Sequence, residues 1–325
     1  MKKTFLAAAS AVALALTACS MGAGDSDAGG STGAANGDEV KVGVILKTLS
    51  SEYWSYVAAG VKAAEKDLDV TVQLQGPASE TAYDEQNNMI ETMLADNSIQ
   101  ALVISPLQPD SVVSVLGDTK KPILFVDTDA NYDKKLSYIG TGNEPAAKSG
   151  GVEAAKVAGE GAKAAWIGGV QGNTTSDARE AGFIAGLKEG GVETVVKQYG
   201  EGLADKAASL MENILTSNPD LKVVVANNDE MASGAAKAAK AAGRDDMIIF
   251  GFDGIQAGVQ NVIDGNVAGT VAQDPYGMGY KAVEAAVKAA KGEKLEEFID
   301  TGSTVVTKDN AEEYLGKLKE QLGQQ

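Results

Sequence analysis

From Val40 onward, short runs of consecutive apolar residues alternate with longer stretches whose apolar positions recur at helical spacing. The short runs cover residues 41–46, 70–75, 101–105, 122–127, 164–168, 194–199, 223–226, 247–252 and 269–272. Their length, their richness in Val and Ile and the polar residues around them predict strands. Residues 52–67, 84–95, 146–158, 177–189, 205–216 and 231–242 carry the helical spacing and predict amphipathic helices. Strands that are apolar throughout belong to sheets buried on both faces. Regular alternation with helices makes those sheets parallel. The predicted fold class is therefore α/β, of doubly wound type.

The pattern also repeats. MIETMLADNSIQALVIS (89–105) and LMENILTSNPDLKVVVA (210–226) each read as a helix, a turn and a buried strand. ILFVDTD (123–129) and IIFGFDG (248–254) match at nearly the same offset, and in each an apolar strand ends in an acid, Asp127 or Asp253. Two matches at a similar offset predict two similar lobes. Ligands of open α/β sheets sit beyond the carboxyl ends of the strands. Facing lobes would then set Asp127 and Asp253 on opposite walls of one cleft.

Residues 1–39 break the pattern. Lys2 and Lys3 precede a short apolar run that ends in Leu16-Thr17-Ala18-Cys19, and residues 20–38 are mostly Gly, Ala, Ser and Asp. A basic start, a short apolar segment and small residues before a cut predict a secretory signal peptide over residues 1–18. The apolar run is shorter than the roughly 20 residues a membrane-spanning helix needs. A cysteine just after the cut makes the segment resemble a bacterial lipoprotein signal. That resemblance implies lipid on Cys19, palmitate included, and a cell-membrane location facing the extracytoplasmic side. Residues 19–39 then form a flexible lipidated tether.

Composition narrows the chemistry. The 325 residues leave room for two domains, and the net charge of −17 repels nucleic acid. Cys19 is the single cysteine, so no intramolecular disulfide supports the fold, and there is no histidine. Histidine-dependent hydrolytic triads are excluded. DTDANYD (127–133) has the start of a calcium loop, but Tyr132 and Tyr138 occupy the places of its glycine and glutamate. No metal, cofactor or phosphate-loop motif is expected, and no enzyme activity.

VILKTLSSEYW (44–54) is the most telling segment, because Tyr53 and Trp54 are adjacent aromatics just past a strand end. The rings can pack beneath the first helix, or they can offer flat apolar faces to a ligand. Sugar rings present C–H patches that stack on such faces, with hydroxyls left for polar partners.

With ISP (104–106), GNTTSDAREAG (172–182), ANNDEMASGA (226–235), FGFDG (250–254) and GTVAQDP (269–275), the chain resembles type I periplasmic sugar-binding proteins of the ribose- and allose-binding group. The motifs keep that family's order and cover nearly everything after Val40. The resemblance implies two lobes joined by three crossovers near 140–143, 273–274 and 301–303. Residues 40–141 with 274–302 would form the N-terminal lobe, and residues 142–273 with 303–325 the C-terminal lobe. Carried over position by position, it implies ligand contacts from Lys47, Ser51, Tyr53, Trp54, Ser105 and Asp127 of the first lobe. Arg179, Asn228, Phe252, Asp253 and Gln273 would supply those of the second. Carboxylates accept from vicinal hydroxyls, and the guanidinium fork donates to hydroxyl and ring oxygens.

Two positions depart from the family. Thr128 stands where ribose binders place arginine. Gly202, with Leu203 and Tyr199 nearby, stands where a second-lobe aromatic is usual. The implied function is a monomeric substrate-binding lipoprotein of an ABC sugar importer. It would capture a ribose- or allose-like monosaccharide by hinge closure and deliver it to membrane permease subunits. A sugar-sensing co-receptor with the same cleft, or a binder of another small polar ligand, is the alternative.

Overall fold

The computed structural model describes residues 40–324. The predicted signal peptide, Cys19 and the tether lie outside the described residues.

The elements in chain order are β1 (Lys41–Ile45), α1 (Glu52–Asp67), β2 (Thr71–Gln75), α2 (Tyr83–Ala95), β3 (Ala101–Ile104), α3 (Pro109–Leu116), β4 (Ile123–Val126), β5 (Lys135–Gly140) and α4 (Asn143–Ala158). Then come β6 (Lys163–Gly168), α5 (Thr174–Glu189), β7 (Glu193–Tyr199), α6 (Ala204–Ser217), β8 (Val223–Ala226), α7 (Asp229–Ala241), β9 (Ile248–Asp253), α8 (Gln256–Ile263) and β10 (Gly269–Ala272). The chain finishes with α9 (Pro275–Ala290), β11 (Phe298–Asp300), β12 (Thr304–Thr307) and α10 (Ala311–Gln321).

Two six-stranded sheets organise these elements, in the orders β2-β1-β3-β4-β5-β11 and β7-β6-β8-β9-β10-β12. Position for position, the second order repeats the first. All pairings are parallel except β12, which runs antiparallel to β10. Each sheet reverses its order beside its second strand, between β1 and β3 and between β6 and β8. That reversal opens the crevice where ligands sit in doubly wound folds. The inner strands β3, β4 and β8 are buried along their whole length, as their unbroken apolar runs require. The edge strand β7 alternates between exposed and partly covered positions.

Glycine brings the helices that serve the site close to their neighbours. A β-carbon on Gly60 of α1 would stand 1.9 Å from the Tyr276 carbonyl oxygen of α9, and one on Gly279 would stand 2.0 Å from that of Val57. Only two bare backbones fit at that distance. The contact fixes α1, which carries Tyr53 and Trp54, over the first sheet. On the second lobe, Gly151 of α4 and Gly186 of α5 meet in the same way, and α5 carries Arg179.

The pattern reading did not mark β5, β11 or β12. β11 and β12 are edge strands with exposed positions, so neither carries the fully buried apolar run of the inner strands. α4 begins three residues earlier than its periodicity suggested. Pro145 lies in its first turn, where no intrahelical N–H is needed. α5 also begins three residues early, because the Asn173 side chain accepts from the Thr175 and Ser176 amides and caps it.

Candidate functional site

The carboxyl ends of β1 and β4 face those of β6, β8 and β9 across a cavity of about 60 Å³. Lys47, Ser51, Tyr53, Trp54 and Asp127 line it from the first lobe, and Arg179, Asn228 and Asp253 line it from the second.

Asp127 follows the last residue of β4 and is 4% exposed. Its Oδ1 accepts from the Tyr53 hydroxyl at 2.8 Å, and its Oδ2 accepts from the Thr128 hydroxyl at 2.9 Å. Lys47 Nζ lies 3.4 Å from Oδ2 and 5.7 Å from the centre of the Trp54 ring. Burial and the neighbouring Asp127 carboxylate hold the Tyr53 phenol well above its ordinary pKa, so it remains a donor. The Trp54 ring meets Tyr53 edge-on, with centroids 5.1 Å apart. Its indole N–H donates to Glu80 Oε1 at 2.7 Å. Both rings belong to the core beneath α1, and both line the cavity.

The second lobe mirrors the arrangement. Asp253 ends β9, and its Oδ1 lies 3.4 Å from an Arg179 amino nitrogen and accepts from Gln273 Nε2 at 2.8 Å. Arg179 is fixed on three further sides. Its Nε donates to Asn143 Oδ1 at 2.9 Å and Nη1 to the Asn227 carbonyl at 2.8 Å, while the guanidinium carbon sits 3.8 Å from the centre of the Phe252 ring. Burial pushes the Asp253 carboxyl up, and Asp229 and Asp127 add to it. Arg179 and Gln273 oppose the rise without cancelling it. Asn228 caps α7 by accepting from the Met231 amide, and it donates to the Gly202 carbonyl at 3.2 Å.

Three expected contact residues are not in the cavity wall. Phe252 precedes Asp253 on β9, so its ring faces the opposite side of the sheet, where it supports Arg179 and packs near Phe183. Gln273 orients Asp253 from behind and lines a groove with Thr301 and Tyr314. Ser105 is fully buried at the end of β3; its carbonyl accepts from Gln86, and its hydroxyl has no partner among the described residues. The sequence reading also missed Glu80, Glu201 and Glu230, which line the cavity, and Asn143 and Thr175. The Asn143-Glu-Pro start of α4 was a readable helix opening, whereas Glu80 sits in an irregular polar loop that carries no pattern.

The two departures now have structural accounts. Thr128 is fully buried, and its Oγ1 lies 3.0 Å from that of Thr175 in the other lobe. Thr175 Oγ1 is also 3.2 Å from the Asp127 carbonyl oxygen, and Thr174 donates to that of Asp129 at 2.8 Å. A short hydroxyl thus joins the strand end to the facing helix. Gly202 has φ 81°, a conformation that favours glycine, and a β-carbon there would stand 3.7 Å from Glu80 Oε2 and 3.8 Å from Asn228 Nδ2.

Residues 42–294 match the family model described as periplasmic binding protein domain. The chain belongs to that family. It is 33% identical to a ribose import binding protein of Salmonella typhimurium over 262 residues, which cover 78% of this chain and 86% of that protein. It is 30% identical to the D-allose-binding periplasmic protein of Escherichia coli, over 78% of this chain and 85% of that one. An ABC transporter solute-binding protein of Agrobacterium vitis, crystallised with bound D-fucose, superposes with a TM-score of 0.78 at 31% identity, covering 83% of this chain and 96% of that chain.

Proposed function

We propose that this protein is the extracytoplasmic substrate-binding subunit of an ABC sugar importer, and that the cavity takes a monosaccharide. One observation carries the reading. Two strand-end carboxylates on facing lobes, Asp127 and Asp253, are each paired with a cation and held beside Tyr53 and Trp54 in a polar cavity. A pyranose or furanose needs that combination, with acceptors and donors for its hydroxyls and an apolar face for its C–H surface. Its capture excludes water, and a wrong epimer leaves a buried polar group unpaired.

Lobes of residues 40–141 with 274–302 and 142–273 with 303–325 open and close about the three crossovers. The membership of β11 in the first sheet and β12 in the second supports that division, as does the packing of α9 on α1. The closed form presents both lobes to the permease. Lipid on Cys19 and the tether keep a monomeric binder near the membrane and raise its effective concentration there. The ligand set is Lys47, Ser51, Tyr53, Trp54, Asp127, Arg179, Asn228 and Asp253, with Phe252 supporting Arg179 and Gln273 supporting Asp253 from behind. A thermal-shift screen against pentoses, hexoses, deoxysugars and polyols tests the reading, because a ligand of the folded state alone raises apparent stability. Absence of a shift with every sugar overturns it.

A further inference from the structure

A bonded path connects the two site acids through the first crossover. Asn143 opens α4 at the end of that crossover and is 8% exposed. Its Oδ1 accepts from Arg179 Nε at 2.9 Å, and its Nδ2 donates to the Thr141 carbonyl at 3.0 Å. A guanidinium Nε can only donate and a carbonyl can only accept, so the amide fits one way round. Neither bond serves the helix. The N-cap of α4 is Gly142, which offers no side-chain bond, and the Asn143 oxygen is given to Arg179 instead.

The crossover is held from the first lobe as well. The Tyr138 hydroxyl donates to the Asp127 carbonyl at 2.7 Å and lies 3.5 Å from Asn143 Nδ2. The Phe298 ring of β11 stacks on Tyr138 with centroids 5.3 Å apart, and the Thr301 amide donates to the Gly140 carbonyl at 2.9 Å. From Asp127 the path therefore runs through Tyr138 and Asn143 to Arg179, which pairs with Asp253.

This grip decides which donors of Arg179 a ligand meets. Nη1 is taken by the Asn227 carbonyl and Asp253. Contacts at that one nitrogen alone would let the guanidinium pivot about it. The bond at Nε is a second fixed point and stops the pivot. Nη2 makes no hydrogen bond among the described residues, and Arg179 lines the cavity, so Nη2 is the donor left for a ligand.

Building on the sugar-binding and hinge-closure readings, we propose that Asn143 is the positioning residue through which the first crossover holds Arg179 in place for the ligand. Asn143 does not line the cavity and acts through Arg179.

The sequence offers a direct readout. Arg179 and Arg244 are the only arginines of the chain, so a proton–nitrogen correlation spectrum of the full chain has two guanidinium Nε–H signals to assign. Arg244 Nε donates to Asp246 at 2.8 Å on an exposed turn and serves as the internal reference for a folded protein. The Arg179 signal should be sharp and slow to exchange with water. Asn143→Ala should broaden or abolish it while the Arg244 signal stays, and Asn143→Asp, which keeps the acceptor, should restore it. Calorimetry with D-ribose, D-allose and D-fucose should follow the same order. Affinity should fall about tenfold or more in Asn143→Ala and stay within about threefold of the unmodified chain in Asn143→Asp. An unchanged Arg179 signal or an unchanged affinity in Asn143→Ala overturns the proposal while the sugar-binding reading stands. If none of the three sugars binds the unmodified chain, that reading loses its support, and the Arg179 signal alone decides whether Asn143 holds the arginine.

Discussion

Asp127 and Asp253 end equivalent strands of the two lobes, and both hold positive φ, 63° and 119°. Such backbone is uncommon for a residue with a side chain and costs on the order of 1–3 kcal/mol at each position. Partners on several sides keep it there. Tyr53, Thr128 and Lys47 hold the first carboxylate, and Arg179 and Gln273 hold the second. Two internal copies carry the same strained acid, so the strain belongs to the cleft architecture. Both carboxylates line the cavity.

Substitutions at Asp127 should separate backbone from chemistry. Asparagine tolerates the left-handed conformation and keeps an acceptor for Tyr53, so Asp127→Asn should lose stability only through the counterion it takes from Lys47, a loss that Asp127→Val shares. It removes the charge that pairs with Lys47, and sugar affinity should fall by about thirtyfold or more. Asp127→Val cannot adopt φ 63° cheaply and should cost more than about 2 kcal/mol. Urea denaturation and calorimetry on both variants check the pair. Equal stability losses would remove the backbone argument.

Arg179→Ala should abolish ligand-induced stabilisation while the lobe remains folded. The variant leaves Asp253 buried without its cation, and the guanidinium's contacts with Asn143, the Asn227 carbonyl and the Phe252 ring vanish. Losing one partner of a buried charged pair costs about 3–5 kcal/mol, spread between stability and binding. Retained far-ultraviolet circular dichroism with no thermal shift in the presence of ligand is the expected outcome. An unchanged shift would take Arg179 out of the site.

The same two acids show how far the chain could be read. Apolar strands ending in Asp127 and Asp253 were legible because a buried strand must stay apolar until its chain emerges at the cleft. The two-lobe architecture followed from their repetition. Phe252 lies behind Arg179 and outside the cavity wall, because position next to a site acid does not say which face of the strand a ring takes. Glu80 left no trace because loops carry no periodicity. Its place in the cavity wall is tied to the Trp54 indole, 26 positions away. Thr128 looked like the loss of an arginine. Only the fold shows a hydroxyl that meets Thr175 across the cleft.

Asp229 lies behind the site and should give the fold a pH dependence. Its Oδ2 accepts from the Gly254 and Ile255 amides, its Oδ1 accepts from the Thr270 hydroxyl, and burial pushes its carboxyl up to about 7. The unfolded value is about 3.9. The folded state therefore holds its proton more tightly. This contribution to stability is fully present below about pH 4, is lost as pH rises toward about 7, and is level above that. Asp229→Asn can present its oxygen to the two amides and its nitrogen to Thr270. It should flatten the decline in urea midpoints between about pH 4 and 7 without unfolding the protein. Asp253 is shifted in the same direction, so part of the slope should survive. Parallel curves for the two proteins would exclude Asp229 as its source.

Gly60→Ala tests the seating of α1. The new methyl carbon would stand 1.9 Å from the Tyr276 carbonyl oxygen, an impossible contact with backbone on a packed helix. α1 must move away from α9, and overpacking of this kind costs about 1–3 kcal/mol or more. Tyr53 and Trp54 ride on the same helix, so affinity should fall together with stability. Gly316→Ala on α10 meets nothing within 4 Å and serves as a control, expected to leave affinity unchanged and to raise stability by about 0.5–1 kcal/mol through helix propensity. A tolerated Gly60→Ala would mean that the helices do not depend on this approach.

Tyr56 and Glu52 make a contact between lobes away from the cavity. The Tyr56 hydroxyl donates to the Glu52 carboxylate and accepts from the Gln256 amide at 3.3 Å, while the Ala257 amide reaches the same carboxylate at 3.4 Å. These are the leading amides of α8, whose own N-cap residue, Ile255, offers no side-chain bond. Asp229 satisfies the two amides before them. In the proposed hinge motion, closing the lobes would complete the cap of α8 with groups from the other lobe, and opening them would return two amides to water. Tyr56→Phe keeps the ring in the core but removes the oxygen, a loss of about 1 kcal/mol of net hydrogen bonding that falls on the closed form. Ligand affinity should drop by about threefold to tenfold, mainly through faster release, and the ligand-free protein should shift toward a larger radius of gyration in solution scattering. Unchanged dissociation kinetics would mean that this contact forms without biasing closure.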